Sequence, residues 1–259
     1  MPWWGMLLIV VAAVVAAAGT LMVRRSIALP VLAAQNEVAG FIYGVLGIVY
    51  GVLLGFTVIV VWDKHQLART RVEDEANALA DLFHIGIAFP PPRRDSLVRV
   101  VDAYAHITID DWAAMSDGQP TARATKAYWE VWNAYRGIVP NTQREAIWLN
   151  AAATRVNNLG DARRLRLLSA KTKVPATMWR VLIAGACITI IFSFFFGTKN
   201  VRFHAVMVGG LAGMVAMVLV LVALLERPYA GGTGVDTAAF QEVRAAVDRY
   251  VQQGAPVPE

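Results

Sequence analysis

Residues 38–62 read VAGFIYGVLGIVYGVLLGFTVIVVW and are followed at once by Asp63, Lys64 and His65. An uncharged run of this length is long enough to cross the hydrocarbon core, which takes about 20 residues as a helix. Gly40, Gly44, Gly47, Gly51 and Gly55 recur within it at spacings of four, three, four and four. At roughly 100° per residue they share one narrow face, along which a neighbouring backbone can approach closely. A second stripe lies beside the first: Tyr43, Tyr50, Thr57 and Lys64 follow at seven-residue intervals. Two readings stay open. The glycines and hydroxyls can form a helix-packing face, as small and polar residues in membrane helices usually do. Alternatively, several copies of the helix surround a pore, with the hydroxyl stripe turned to water.

Three further apolar runs flank this one, at 6–23, 179–196 and 205–225. The first is bracketed by Trp3 and Trp4 at one end and by Arg24 and Arg25 at the other, the arrangement of an interfacial belt. A cleaved signal peptide is the competing reading of this run, and Ala16-Ala17-Ala18 would suit a peptidase. No Lys or Arg precedes the run, however, which favours a retained helix. The expected fold is therefore an all-α integral membrane protein, with four transmembrane helices in two hairpins flanking a helical soluble domain. The expected divisions are residues 1–62 for the first hairpin, 63–178 for the soluble domain, 179–227 for the second hairpin and 228–259 for a C-terminal tail with a short helix. Four spans put both termini on one side.

Composition agrees with that reading. Of 259 residues, 57% are hydrophobic, and mean hydropathy is +0.48, above that of ordinary soluble domains. The net charge of +5 does not imply a nucleic-acid partner, because the basic residues cluster beside the apolar runs, where anionic headgroups attract them. One cysteine, Cys187, excludes an intrachain disulfide and a cysteine-based metal site. Lys64, Arg69, Arg71, Arg166, Lys171, Lys173, Arg180 and Arg227 flank the spans on the domain side, against Arg24, Arg25, Lys199 and Arg202 in the hairpin loops. The larger group places the domain and both termini in the cytoplasm.

Between the hairpins the pattern is helical. Residues 64–87 contain no breaker and carry Arg69/Glu73 and Arg71/Glu75 at i,i+4, so the second span is expected to continue outward as one long helix. Pro90-Pro91-Pro92 stops it, and Asp95 or Ser96 is expected to cap a helix reaching about Met115. Thr121 caps the next helix, whose Tyr128, Trp129, Trp132 and Tyr135 share a face expected to be core or helix–helix interface. Thr142-Gln143-Arg144-Glu145 has the form of a capping box for a helix reaching toward Ala170. A further short helix is expected from Thr237 to Gln252.

Chemistry-bearing motifs are few. Glu73, Asp74, Glu75, Asp81 and His84 read as solvated helix charges rather than a metal cluster, and Arg163, Arg164 and Arg166 as a headgroup-contacting cluster. The sequence has no P-loop, G-x-G-x-x-G, G-x-S-x-G or H-E-x-x-H, so no enzyme, metal site or cofactor is expected. No Asp, Glu, Lys, Arg or His falls within the core of a span, which argues against ion-coupled transport and leaves a passive pathway.

The order of these features resembles the bacterial bestrophin-like family, once catalogued as a domain of unknown function, DUF4239. The residues that carry the resemblance are Gly47 through Phe56, Ala68-Arg69 through Glu75-Ala76, Asp161 through Leu167, and Pro175 with Trp179. Phe196-Gly197, His204, Leu225 through Gly231 and Ala239-Phe240 complete the set. The resemblance implies kinship with bestrophins, which are pentameric anion channels with cytoplasmic termini and a pore lined by the second span. It supports a homo-oligomer, a pore bearing Tyr43, Tyr50, Thr57 and Lys64, and small anions as the permeant species. The acidic calcium clasp of animal bestrophins has no counterpart near Asp236 and Glu242, so calcium gating does not carry over. The alternative is a non-conducting scaffold or sensor whose soluble domain binds a partner.

Overall fold

The computed structural model describes residues 2–230 and 234–253. The helices are α1 (Trp3–Ser26), α2 (Leu29–Ala34), α3 (Asn36–Ile87), α4 (Arg93–Asp110), α5 (Ala122–Arg136), α6 (Gln143–Lys171), α7 (Ala176–Ser193), α8 (Val201–Leu225) and α9 (Ala238–Gln252). Among the described residues the protein is all-helical, with four helices long and apolar enough to cross a membrane. The chain forms two compact units, one of residues 1–63 and 174–226, the other of residues 64–173 and 227–259. The expected long helix is present: α3 runs unbroken from Asn36 to Ile87, giving its first part to the membrane unit and the rest to the soluble unit.

In the membrane unit α1 lies against α8 in antiparallel register. Gly209 faces Ala13 and Ala17, and Gly213 faces Ala13 and Ile9, so small residues on both helices let the backbones come together. α3 meets α7 differently, through large side chains over small ones: Tyr50 and Leu54 pack with Leu182, Ala186 and Val215. Pro30, expected in a plain link, lies within the short helix α2, where its missing N–H costs nothing in the first turn.

In the soluble unit the remainder of α3 packs with α4, α5, α6 and α9 around Leu79, Leu82, Val101, Tyr104, Val131 and Leu159. α9 is part of this core, which buries Phe240, Val243 and Val247, and the Tyr229 hydroxyl donates to the Ala68 carbonyl at 3.1 Å. Both threonine caps are present, with Thr121 accepting from the Ala124 N–H at 3.0 Å and Thr142 from the Glu145 N–H at 3.1 Å. The returning half of the expected box differs: Glu145 accepts from the Asn141 N–H and from Arg93, each at 2.8 Å. α4 begins at Arg93 behind Pro92 without a side-chain cap, so Asp95 and Ser96 lie inside it, and it ends at Asp110 rather than near Met115. The chain then turns through Gly118, whose φ of +76° and proximity to the Leu167 carbonyl leave no room for a side chain.

Candidate conducting helix

α3 carries the candidate residues, and its neighbours decide which way each points. The Tyr50 ring lies over Gly185 of α7, where an added methyl would sit 2.6 Å from two ring carbons. Its hydroxyl donates to the Leu182 carbonyl at 3.0 Å, and the residue is 6% exposed. Thr57 is likewise buried and donates to the Leu53 carbonyl, one turn back, at 2.8 Å. Tyr43 stacks on Phe192 at 5.9 Å and meets Phe196 edge-on at 5.4 Å. Within the single chain the hydroxyl stripe, for which both a packing and a water-facing role stood open, is turned toward α7. A hydroxyl between membrane helices needs an acceptor, and the carbonyls of Leu182 and Leu53 satisfy those of Tyr50 and Thr57 respectively. Lys64, the last member of the stripe, is exposed.

The glycine stripe has the opposite environment. Gly40 comes near the Phe196 ring, but a methyl at Gly44, Gly47, Gly51 or Gly55 would meet nothing within 4 Å. Next to the glycines, roughly 100° further round the helix and away from α7, lie Ile48, Val52 and Phe56, one turn apart. Ile48 is 69% and Phe56 65% exposed. α3 therefore shows two open stripes side by side, one of backbone and one of bulky apolar groups. Sequence reasoning found the first and missed the second. The i,i+4,i+8 spacing of Ile48, Val52 and Phe56 was available as a signal, but in a helix apolar all round only the position of α7 singles it out.

The other charged candidates resolve into structural roles. Arg69 pairs with Glu73 at 3.0 Å as expected, but Arg71 pairs with Asp74 at 3.4 Å. Glu75, expected to pair with Arg71, is fully buried and accepts from Arg166 at 2.6 and 3.1 Å and from the Tyr104 hydroxyl at 2.5 Å. The Arg163, Arg164 and Arg166 cluster is not a headgroup contact as a set. Arg166 is buried on Glu75 with its guanidinium 5.2 Å from the Trp112 ring centre, Arg163 lies over Tyr128, and Arg164 pairs with Asp161 at 2.7 Å. A carboxylate taken out of water needs a fixed cation, and of the three only Arg166 reaches it. Burial alone would lower the guanidinium's hold on its proton, but the neighbouring Glu75 carboxylate outweighs this and raises it. Tyr128 and Trp132 are half-buried, Tyr135 is buried with its hydroxyl on the Leu82 carbonyl, and Trp129 is exposed. Asp81 is paired with Arg155 at 3.1 Å, and no group of three or more metal-ligating side chains occurs among the described residues.

Comparison with known proteins adds the family. No curated protein matches the sequence. Among solved structures, a bacterial bestrophin homologue from Klebsiella pneumoniae, crystallised as a single-residue variant, is similar over 92% of this chain and 98% of its own, at 14% identity and a TM-score of 0.69. A second crystal structure, of a membrane-protein variant, is similar over 95% of this chain and 99% of its own, at 12% identity and a TM-score of 0.70. These likenesses establish a shared fold. The model of the Bestrophin-like domain matches residues 10–240, nearly the whole chain, and the chain belongs to the bestrophin-like family.

Proposed function

We propose that the chain forms a homo-oligomeric membrane channel, a pentamer by analogy with bestrophins, that passes small anions without energy coupling. The observation that carries this reading is the pair of open stripes on α3. Four glycines with nothing against them suit close approach by α3 of a neighbouring copy, and the adjacent Ile48, Val52 and Phe56 then turn toward the symmetry axis. Rings of such side chains make a hydrophobic constriction that gates by dewetting. Lys64 supplies positive charge at the domain-side end of the span. Its field reaches about 8 Å at physiological salt, so it raises the local anion concentration without pointing at the axis.

The orientation proposed places the soluble unit and both termini in the cytoplasm. Single cysteines near Ser116 and Asn200, in a Cys187→Ser background, test it with an impermeant thiol reagent on intact cells. Labelling near Asn200 alone is expected, and labelling near Ser116 alone would reverse the orientation. Conduction is tested by anion flux into liposomes containing purified protein. Flux no greater than in empty liposomes, over a range of pH and voltage, removes the channel reading. The scaffold or sensor reading would then lead, and a cleft of about 820 Å³ in the soluble unit, between α3 and α9, favours it as a place for a partner.

A further inference from the structure

The soluble unit holds an apolar cleft that the proposed channel does not use, of about 310 Å³ between α5 and α6. One strip of each helix makes it. Trp132, Tyr135 and Arg136 come from the last turns of α5, and Leu149, Ala153, Val156 and Asn157 follow along one face of α6. The buried Tyr135 and Val156 make its deepest part, Trp132 and Leu149 are half-buried beside them, and the small, exposed Ala153 leaves the space open. The Trp132 ring meets the exposed Trp129 edge-on at 6.2 Å, so the aromatic surface continues past the cleft.

The polar side chains at this cleft are of one kind. The Tyr135 hydroxyl is committed to the Leu82 carbonyl, which leaves the Arg136 guanidinium, the Asn157 amide and the Trp132 indole N–H, all of them donors. None of the three has a hydrogen-bond or ion-pair partner among the described residues, and no Asp or Glu lines the cleft. Other arginines of these helices are engaged: Arg123 with Asp110, Arg155 with Asp81, Arg164 with Asp161, Arg166 with Glu75, and Arg163 over Tyr128. Arg136 and Arg144 are the exceptions, and Arg136 lines the cleft. An arginine in the last turn also suits the α5 dipole, but that role needs neither the cleft nor the other two donors. Apolar walls with a few donors recognise a ligand with an apolar body and an acceptor head. The Trp132 ring favours a flat aromatic body. A single cation matches a singly charged head, and the guanidinium fork takes both oxygens of a carboxylate. The volume lies at the small end of ligand pockets, which suits one or two rings rather than a long chain.

We propose that the α5–α6 cleft binds a small aromatic monocarboxylate, its ring against Trp132 and its carboxylate on Arg136, with Asn157 as a second donor. The site lies wholly within the soluble unit and rests on neither the channel nor the scaffold reading, since its test measures binding alone. Titration calorimetry on full-length protein in detergent, each run paired with protein-free micelles, decides it. The probes are two aromatic acids, indoleacetate and phenylpropionate, with the neutral indoleacetamide and acetate as comparisons. At least one aromatic acid is expected to bind once per chain, and at least about tenfold more tightly than indoleacetamide or acetate, because the amide lacks the charge and acetate lacks the ring. Arg136→Gln should reduce that acid to the level of the amide. Ala153→Leu, which fills the cleft from an exposed position on α6, should abolish its binding, and Arg144→Gln should leave it unchanged. Absence of saturable binding by both acids overturns the proposal, as does equal affinity of the wild type for acid and amide. Unchanged affinity in a folded Ala153→Leu protein would put the ligand elsewhere and overturns it too. Light scattering on the same samples covers the remaining occupant: binding seen only as the oligomeric mass falls would assign the cleft to a second copy of the chain, against the proposal. The wild-type comparison decides even where a variant fails to fold.

Discussion

Arg166 and Glu75, 91 positions apart, are joined by two hydrogen bonds in the interior of the soluble unit, with the Tyr104 hydroxyl completing the carboxylate's shell. Removing one partner strands the other charge in an apolar core. Arg166→Ala is expected to destabilise the protein by about 3–5 kcal/mol, read from denaturant unfolding in detergent. A Glu75→Leu/Arg166→Met pair should recover most of that loss, because no charge is then left buried. A double variant as unstable as Arg166→Ala would show that the pair is needed for more than mutual neutralisation.

Alkaline pH should weaken the same unit through its tyrosines. Burial pushes the Tyr229 hydroxyl from the ordinary 10.0 up to about 12, and burial also raises Tyr104 and Tyr135. Between these values the folded chain holds protons that the unfolded chain has released, so the derivative of stability with pH is negative. The contribution is complete below pH 10.0 and is lost as pH rises through about 12. Tyr229→Phe should make the alkaline loss of stability less steep, as measured by unfolding midpoints at successive pH values.

Glycine substitutions separate fold from assembly. Gly185 lies under the Tyr50 ring, so Gly185→Ala should disturb the α3–α7 contact and lower the melting temperature of the single chain. Gly47→Leu or Gly51→Leu should leave that fold intact, since no described atom outside the local helix lies within 4 Å of an added methyl there, and should instead lower the oligomeric mass measured by light scattering. Leu53→Ile, away from the open stripe, should do neither. An unchanged mass in both glycine variants would mean that the stripe faces lipid.

Conduction should respond to the apolar stripe and to Lys64 in different ways. Ile48→Ala or Phe56→Ala should raise single-channel conductance with little change in selectivity, because each widens a constriction without altering charge. Lys64→Glu should lower anion over cation permeability in planar bilayers, and the effect should shrink as added salt screens the exposed group. Thr57→Val should have little effect on either quantity, since its hydroxyl is committed to the Leu53 carbonyl.

Four apolar runs, their lengths and their bounding charges are local properties, so the sequence alone determined the four spans, the continuous α3, and the Thr121 and Thr142 caps. The glycine stripe and the hydroxyl stripe were equally legible as faces, because a helix's period follows from its backbone. Which face meets which neighbour is not local. α3 is apolar all round, and only the presence of α7, with Gly185 beneath a tyrosine ring and the Leu182 carbonyl in reach, decides that the hydroxyls turn inward and the glycines outward. For the same reason, spacing alone paired Glu75 with Arg71, whereas the fold brings Arg166 from a distant helix into a core where a carboxylate cannot remain unpaired. Burial sets the cost of leaving a polar group unmet, and burial is a property of the packed chain.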